Sequence, residues 1–191
     1  RAVLADIRAR LRSGWFTLRS AAKFFHSGAA SDKVKMKVFH TLIQTVFLSY
    51  ACQSWVLGDK ERRILQGCYT RMLRFAKNIP YIEHPSLERI YGATPSVLAT
   101  IAQYRLQMLG ITFRNEKDCP QPLITMMRWM LMQIPVTTTM TSRIREQRFD
   151  YAAQLLRDVR CLTRQPRMHA RDVLARLANY PEWHRTVVEK Y

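Results

Sequence analysis

Apolar residues recur every three or four positions along most of the chain, and this spacing limits the possible folds more than any other feature. Val34, Val38 and Leu42, for example, follow one another at steps of four. Because an α-helix has about 3.6 residues per turn, residues at this spacing share one face. No stretch of the sequence alternates apolar and polar residues over the length of a strand. The sequence therefore predicts an all-α chain of about eight helices.

Capping residues and helix breakers set the limits of the expected helices. Ser31 or Asp32 can cap one helix, Pro80 stops the next, and Gly92 ends a short one. The helices are expected at about residues 4–18, 32–50, 60–77, 86–91, 94–113, 123–133, 141–160, 168–179 and 181–189. Two prolines and a charge cluster at residues 117–122 form the best candidate boundary. We therefore expect a multi-helix bundle in residues 1–117 and a second, smaller helical region in residues 118–191.

The chain is strongly basic. Its 191 residues include 31 Lys and Arg against 14 Asp and Glu, a net charge of +17. Such a field attracts polyanions, and nucleic acid is the default partner. Residues 1–115 carry 18 basic and 6 acidic residues, whereas residues 116–191 carry 13 and 8, so we expect the main electrostatic footprint in the first part. No apolar run approaches the roughly 18 residues of a membrane-spanning helix, so we expect no membrane partner.

The helix expected at residues 60–77 separates basic from apolar side chains. At about 100° per residue, four of its basic side chains fall on the side opposite its apolar face. They are Arg63, Arg71, Arg74 and Lys77. Such a face can contact phosphates without reading sequence, although a merely solvated basic surface is the alternative. The predicted nucleic-acid interface is completed by Lys33, Lys35, Lys37, Arg62, Arg105 and Arg114.

The sequence contains no recognisable catalytic or cofactor-binding motif. Its six glycines form no phosphate-binding loop, and its acidic residues are few and scattered. The four cysteines and five histidines lack the spacing of a zinc site, and the cysteines lack that of a disulfide framework. We therefore expect no catalytic residues, no cofactor, no metal site and no enzymatic activity from this chain alone.

The first thirty residues allow two interpretations. They are rich in Arg, Ser and Ala and contain one acidic residue, Asp6. This composition would suit a mitochondrial transit peptide. However, Leu4, Ile7 and Leu11 begin an apolar stripe at helical spacing. We therefore favour a basic amphipathic helix that stays part of the protein.

Several short segments form a longer pattern along the chain. SYACQSW occupies residues 49–55, CYTRMLR residues 68–74 and YRLQMLGITFR residues 104–114. Two longer segments, ADIRARLRSGWFTLRSAAKFF and KVKMKVFHTLIQTVFLSY, precede them. In this order the segments resemble the region just after the palm of LINE-type (non-LTR) retrotransposon reverse transcriptases. The resemblance covers about residues 3–115 and departs from the family at Ile111, where the family has a histidine.

In that family this region is the thumb, a helical element that grips the template–product duplex. The resemblance therefore implies a thumb-like helical bundle that holds nucleic acid. The family's fingers, palm and tyrosine-alanine-aspartate-aspartate metal site have no counterpart in the sequence. The resemblance thus implies no polymerisation by this chain, which is at most a fragment of an RNA-directed DNA polymerase.

Two functions fit these patterns. In the first, the chain is a retrotransposon-derived, non-catalytic RNA-binding subunit of a large ribonucleoprotein such as a mitochondrial ribosome. In the second, it is the thumb and linker portion of an active LINE-type reverse transcriptase, which would place it in the nucleus. We favour the first, with rRNA or another structured RNA as the partner and a mitochondrial location. A protein–protein adaptor whose charge serves only solubility is a third option.

Apolar and aromatic clusters raise two further alternatives. The apolar segment from Met126 to Met132 is expected either to form a buried core helix or to dock on a neighbouring protein of the particle. Aromatic side chains could stack on unpaired bases. Those in the first part lie on or beside apolar stripes, so we expect them in the core instead; they are Trp15, Phe24, Phe25, Tyr50 and Trp55.

Overall fold

The computed structural model describes residues 2–48, 51–115, 117–132 and 151–163, together with Asp172, Val173, Ala175, Arg176, Trp183 and Arg185. All regular elements in these residues are helical, so the predicted all-α class is confirmed for them. The described α-helices are α1 (Ala2–Ser20), α2 (Ala22–His26), α3 (Asp32–Ile43), α4 (Asp59–Ala76), α5 (Leu87–Tyr91), α6 (Val97–Arg114), α7 (Gln121–Met132) and α8 (Tyr151–Thr163). Shorter helical turns lie at Gln44–Leu48, Cys52–Ser54 and Tyr81–Glu83.

The chain forms two compact units. The first takes in Arg1–Cys52 and Asp59–Leu98, and the second takes in Gln53–Gly58 and Ala99–Tyr191. This division differs from the boundary expected near residue 118. The reason is that buried leucines of α6 belong to the same apolar cluster as residues of α7 and α8. Most of α6 therefore groups with the residues that follow it.

Helix α4 is the centre of the first unit and packs against α1, α2, α3 and α5. Its buried side chains share the face that the apolar pattern predicts; they are Leu65, Tyr69, Met72, Leu73 and Ala76. The Tyr69 ring lies tilted against Phe39 of α3, with 5.7 Å between the ring centroids. Burial of each large apolar side chain contributes roughly 1.5–3 kcal/mol, so this face anchors α4 firmly.

The C-terminal end of α4 is held by a turn that satisfies its last carbonyls. The Asn78 N–H donates to the Phe75 carbonyl at 3.1 Å, and the Ile79 N–H donates to the Arg74 carbonyl at 2.9 Å. Asn78 has a φ of +52°, a left-handed conformation that asparagine tolerates better than most residues. Pro80 follows and has no N–H to continue the helix. The helix therefore ends close to its predicted limit.

The helix predicted at residues 32–50 changes character after Ile43. α3 ends there, and a wider, π-helical turn follows at Gln44–Leu48. Phe47 and Leu48 are consecutive in this turn, and both are buried. A wider turn rotates successive side chains by a smaller angle than an α-helix does, so two neighbours can face the core.

Gly14 of α1 lies at a close approach between helices of the first unit. A Cβ atom on Gly14 would lie 3.3 Å from the Met72 Cε atom and 3.9 Å from the Ile43 Cδ1 atom. We expect Gly14→Ala to change stability little, because a gain of about 1 kcal/mol in helix propensity offsets a small shift of the flexible methionine. We expect Gly14→Leu to lower the free energy of unfolding by about 1–3 kcal/mol, because it overpacks the core. Urea unfolding followed by circular dichroism measures both, and equal stability of the two variants would contradict this packing.

The second unit is built around α6, α7 and α8. Its apolar cluster consists of Ala102, Leu106, Leu109, Met127, Leu155, Leu156, Val159, Val173 and Trp183. The Trp183 Nε1–H donates to the Leu106 carbonyl at 3.1 Å. A Cβ atom on Gly110 would lie only 2.5 Å from that Nε1 atom, so the indole needs a glycine at this position.

Parts of the expected helices lie outside the described residues, namely residues 49–50, 133 and 141–150 and most of residues 168–179 and 181–189. Of the aromatic residues expected in the core, Phe25 and Trp55 are buried, and Trp15 and Phe24 are half-buried. Tyr50 lies outside the described residues. In the part of the chain that the structure describes, no helix combines the length and the apolar character needed to cross a bilayer.

Candidate nucleic-acid interface

The outer face of α4 carries cations on the side opposite its buried residues. Arg63 and Arg71 are exposed, and Arg74 is half-buried. Lys77 is also half-buried and follows directly after Ala76, the last residue of α4. Arg63 and Arg74 are about 16 Å apart along the helix axis, given a rise of about 1.5 Å per residue. Residues 62–82 contain five basic residues and no acidic one. No carboxylate within this segment therefore neutralises the face.

The two acidic residues of α4 lie at its beginning. Asp59 and Glu61 belong to the first turn. There they stabilise the positive end of the helix dipole. Negative charge on α4 is thus confined to one end, and the cations occupy the remaining length of the outer face.

Backbone carbonyls restrain two arginines of this face. The Arg63 Nε–H donates to the Asp59 carbonyl at 3.3 Å. The Arg74 guanidinium donates to the Pro80 carbonyl at 2.7 Å. A restrained side chain loses less conformational entropy when it binds an anion than a freely rotating one does. The two guanidinium groups are therefore partly preorganised for a phosphate.

The predicted lysine cluster lies at the beginning of α3, which packs against α4 in the same unit. Lys33 and Lys37 are exposed, and Lys35 is half-buried. Arg62, next to Arg63 on α4, is also half-buried. The structure thus brings eight of the ten predicted residues into the first unit.

Arg105 is a correction to the predicted interface. Its side chain is only 1% exposed and pairs with the Asp158 carboxylate of α8. It also donates to the carbonyl oxygens of Gln53 at 3.0 Å and Trp55 at 2.7 Å. A guanidinium buried in this way cannot reach a phosphate, and it serves instead as a cross-link inside the second unit.

Arg114 is exposed in the last turn of α6. A positive charge there complements the negative end of the helix dipole. Arg114 belongs to the second unit, so we do not assign it to the basic face of α4.

The apolar segment from Met126 to Met132 lies in α7. Met127 is buried in the apolar cluster of the second unit, and Arg128 is exposed. The other side chains of this segment lie outside the described residues. Core packing is therefore shown for Met127, and docking of the segment on a neighbouring protein stays a prediction.

The connection between α4 and α5 exposes two large apolar side chains that were not among the predicted site residues. Tyr81 is 77% exposed, and Ile82 is 87% exposed. The Arg74 guanidinium carbon lies 5.0 Å from the centre of the Tyr81 ring, so this ring adjoins the basic face. The sequence signal for this feature is an aromatic residue placed between two prolines, where no helix is long enough to bury it.

His40 of α3 makes the stability of the first unit depend on pH. Burial and, to a smaller degree, the positive charge of Lys77 lower the pKa of this imidazole below its ordinary value of 6.5. At a pH below about 6.5, the imidazole is therefore protonated more readily in the unfolded chain than in the folded unit. The free energy of unfolding consequently decreases as the pH falls below this value. We expect the urea midpoint of the wild type to decrease more between pH 7 and pH 5 than that of His40→Gln. Equal decreases in both proteins would contradict this role of His40.

Comparison with protein-family models, with curated proteins and with solved structures gives no match for this chain. The resemblance to the reverse-transcriptase thumb therefore stays a prediction. Among the described residues, no three His, Cys, Asp or Glu side chains are grouped so as to hold a metal ion. The function is therefore argued from the basic face of α4.

Proposed function

We propose that this chain binds RNA through the outer face of α4, as a non-catalytic structural subunit of a ribonucleoprotein. The observation that carries the proposal is the division of α4 into a buried apolar face and an outward basic face. The buried face fixes the helix against its neighbours in the first unit. Three cations at set positions on a fixed helix, with Lys77 directly after its end, suit the regular charges of a phosphate backbone.

Binding of this kind depends on charge and shape more than on base sequence. Each cation that contacts a phosphate releases condensed counterions, so the affinity falls as the salt concentration rises. The planar guanidinium groups of Arg63, Arg71 and Arg74 can each form two parallel hydrogen bonds with a phosphate. Because A-form RNA is recognised mainly through its shape and backbone, such a face suits structured RNA.

The overall charge supports the same function. A net charge of +17 makes the folded chain repel itself unless a polyanion lies nearby. Ribosomal RNA in a mitochondrial ribosome would supply that polyanion. The mitochondrial compartment belongs to the same proposal, because a mitochondrial ribosome is the ribonucleoprotein that we propose.

A second candidate function is the thumb and linker portion of a LINE-type reverse transcriptase. The resemblance of residues 3–115 to that family favours it. The same face of α4 would then contact the template–product duplex, which is an RNA–DNA hybrid during first-strand synthesis. The two functions therefore differ in the preferred duplex and share the contact surface.

Binding of the purified chain to structured RNA, duplex DNA and an RNA–DNA hybrid of equal length tests the proposal. Affinities measured over a salt series should fall steeply, with the tightest binding to structured RNA. A preference for the hybrid would instead support the thumb of a reverse transcriptase. Absence of salt-dependent binding to all three ligands would exclude both functions and favour a protein–protein adaptor.

A further inference from the structure

We infer that Tyr81 is a stacking platform for an unpaired base at the end of the nucleic acid that α4 holds. This inference rests on the proposed function and adds which kind of RNA the chain prefers. Phosphates of a structured segment would contact the basic face of α4, and the single strand that continues from it would place a base on Tyr81. The preferred ligand is then an RNA duplex with a single-stranded extension.

The exposure of the connection between α4 and α5 is the first observation behind this inference. Ile82 and Tyr81 have the two highest exposures, 87% and 77%, among the large apolar side chains in the described part of the chain. They belong to the short helical turn Tyr81–Glu83, which follows Pro80. An aromatic ring gains free energy when its apolar faces are covered. This ring is left available for a ligand.

The second observation is that the Tyr81 ring has fixed neighbours although it is exposed. The Arg74 guanidinium carbon lies 5.0 Å from the ring centre, within the range of a cation–π interaction. The same guanidinium donates to the Pro80 carbonyl at 2.7 Å. The His84 ring meets the tyrosine nearly edge-on, with 5.8 Å between the centroids. These contacts restrain the ring and leave most of it accessible. The ring therefore loses less conformational entropy when a ligand binds.

The charges around Tyr81 favour a nucleic acid over an apolar protein partner. Arg74 is both part of the basic face of α4 and a direct neighbour of the ring. The nearest acidic residue in the sequence, Glu83, forms an ion pair with Arg89 at 3.2 Å. An aromatic side chain beside phosphate-binding cations is the combination found where proteins hold single strands. Every base has a flat face, so this platform would accept any base.

Two RNA ligands and matched variants test the inference. One ligand is a blunt RNA duplex, and the other is the same duplex with a four-nucleotide single-stranded extension that carries 2-aminopurine. Tyr81→Ala removes the ring, and Tyr81→Phe keeps its flat face. Phe16→Ala is the control, because Phe16 of α1 is 75% exposed and thus similar in accessibility. Circular dichroism checks that each variant is folded.

We expect the wild type to bind the extended duplex about tenfold more tightly than the blunt one and to quench 2-aminopurine fluorescence. Tyr81→Ala should lose both effects and keep its affinity for the blunt duplex. Tyr81→Phe and Phe16→Ala should keep both effects. Retention of the preference in Tyr81→Ala, or its loss in Phe16→Ala, would overturn the assignment to Tyr81. Loss of the preference in Tyr81→Phe would show that the tyrosine hydroxyl, and not stacking on the ring, holds the extension. That result would also overturn the inference.

The same ligands separate failure of this inference from failure of the proposed function. A wild type that binds both RNA ligands equally well would overturn the stacking platform and leave RNA binding by α4 intact. A wild type that binds neither ligand would overturn the proposed function and the platform with it.

Discussion

Replacement of Asp158 by alanine is expected to lower the stability of the second unit by about 3–5 kcal/mol. The change would leave the Arg105 guanidinium in the interior without its carboxylate. It would also remove the acceptor of the Gln154 side-chain amide, which donates to Asp158 at 2.7 Å. Loss of one partner from a buried pair costs more than the pair itself contributes, because the remaining charge stays out of water.

Two measurements check this effect. Urea unfolding followed by circular dichroism reports the overall loss. Hydrogen exchange read by mass spectrometry reports the local loss of stability in the segment Gln53–Gly58. This segment is informative because Arg105 donates hydrogen bonds to the carbonyls of Gln53 and Trp55. Protection of this segment should decrease strongly in Asp158→Ala.

The matched control is the double variant Arg105→Met with Asp158→Leu. It removes both charges and replaces them with apolar side chains of similar length. Removal of both charges avoids an unpaired guanidinium, so the double variant should recover part of the lost stability. The recovery should be incomplete, because the carbonyls of Gln53 and Trp55 lose their donor. If Asp158→Ala unfolds at the wild-type urea concentration, the buried pair is not an important cross-link of this unit.

The second large effect is expected on nucleic-acid binding. The variant replaces the four cations of the α4 face with alanine: Arg63, Arg71, Arg74 and Lys77. If all four contact phosphates of a duplex, the slope of log affinity against log salt should become shallower by about 4. Between 50 and 200 mM salt, the wild type should therefore lose roughly 150- to 250-fold more affinity than the variant does. Alanine has the highest helix propensity, so α4 itself should remain folded.

A variant with the same loss of charge elsewhere in the first unit provides the control. Arg8, Arg12, Arg19 and Lys23 are all exposed on α1 and α2. Their replacement with alanine removes four charges and leaves the α4 face unchanged. We expect this control to keep most of the wild-type salt dependence. If it flattens the salt dependence as much as the α4 variant does, net charge alone governs binding and α4 is not the interface.

Local chemistry made several helices of the first unit predictable. Helix α5 begins where the Ser86 hydroxyl accepts a hydrogen bond from the Arg89 N–H at 3.2 Å. It ends at Gly92, whose φ of +53° is strained for residues with a side chain. The two faces of α4 follow from the helical period in the same way. All these features depend on residues within a few positions of one another.

The buried role of Arg105 was only partly predictable. Its position four residues after Ile101 and four before Leu109 places it on the apolar stripe of α6. That spacing argues for burial, although a charged side chain by itself argues for the surface. Its acceptors are Asp158, which lies 53 positions later, and the carbonyl oxygens near Trp55. No local pattern links these groups, so only the packed unit reveals the cross-link.

The sequence by itself determined the all-α class of the described residues, the apolar face of α4 and the positions where several helices stop. Periodicity, capping and chain-breaking act over one or two helical turns, which is why one sequence suffices to find them. The tertiary structure alone decided which groups Arg105 binds inside the second unit, and that most of α6 belongs with the residues after it. Burial depends on contacts between residues far apart in the chain, and those contacts exist only once the helices have packed.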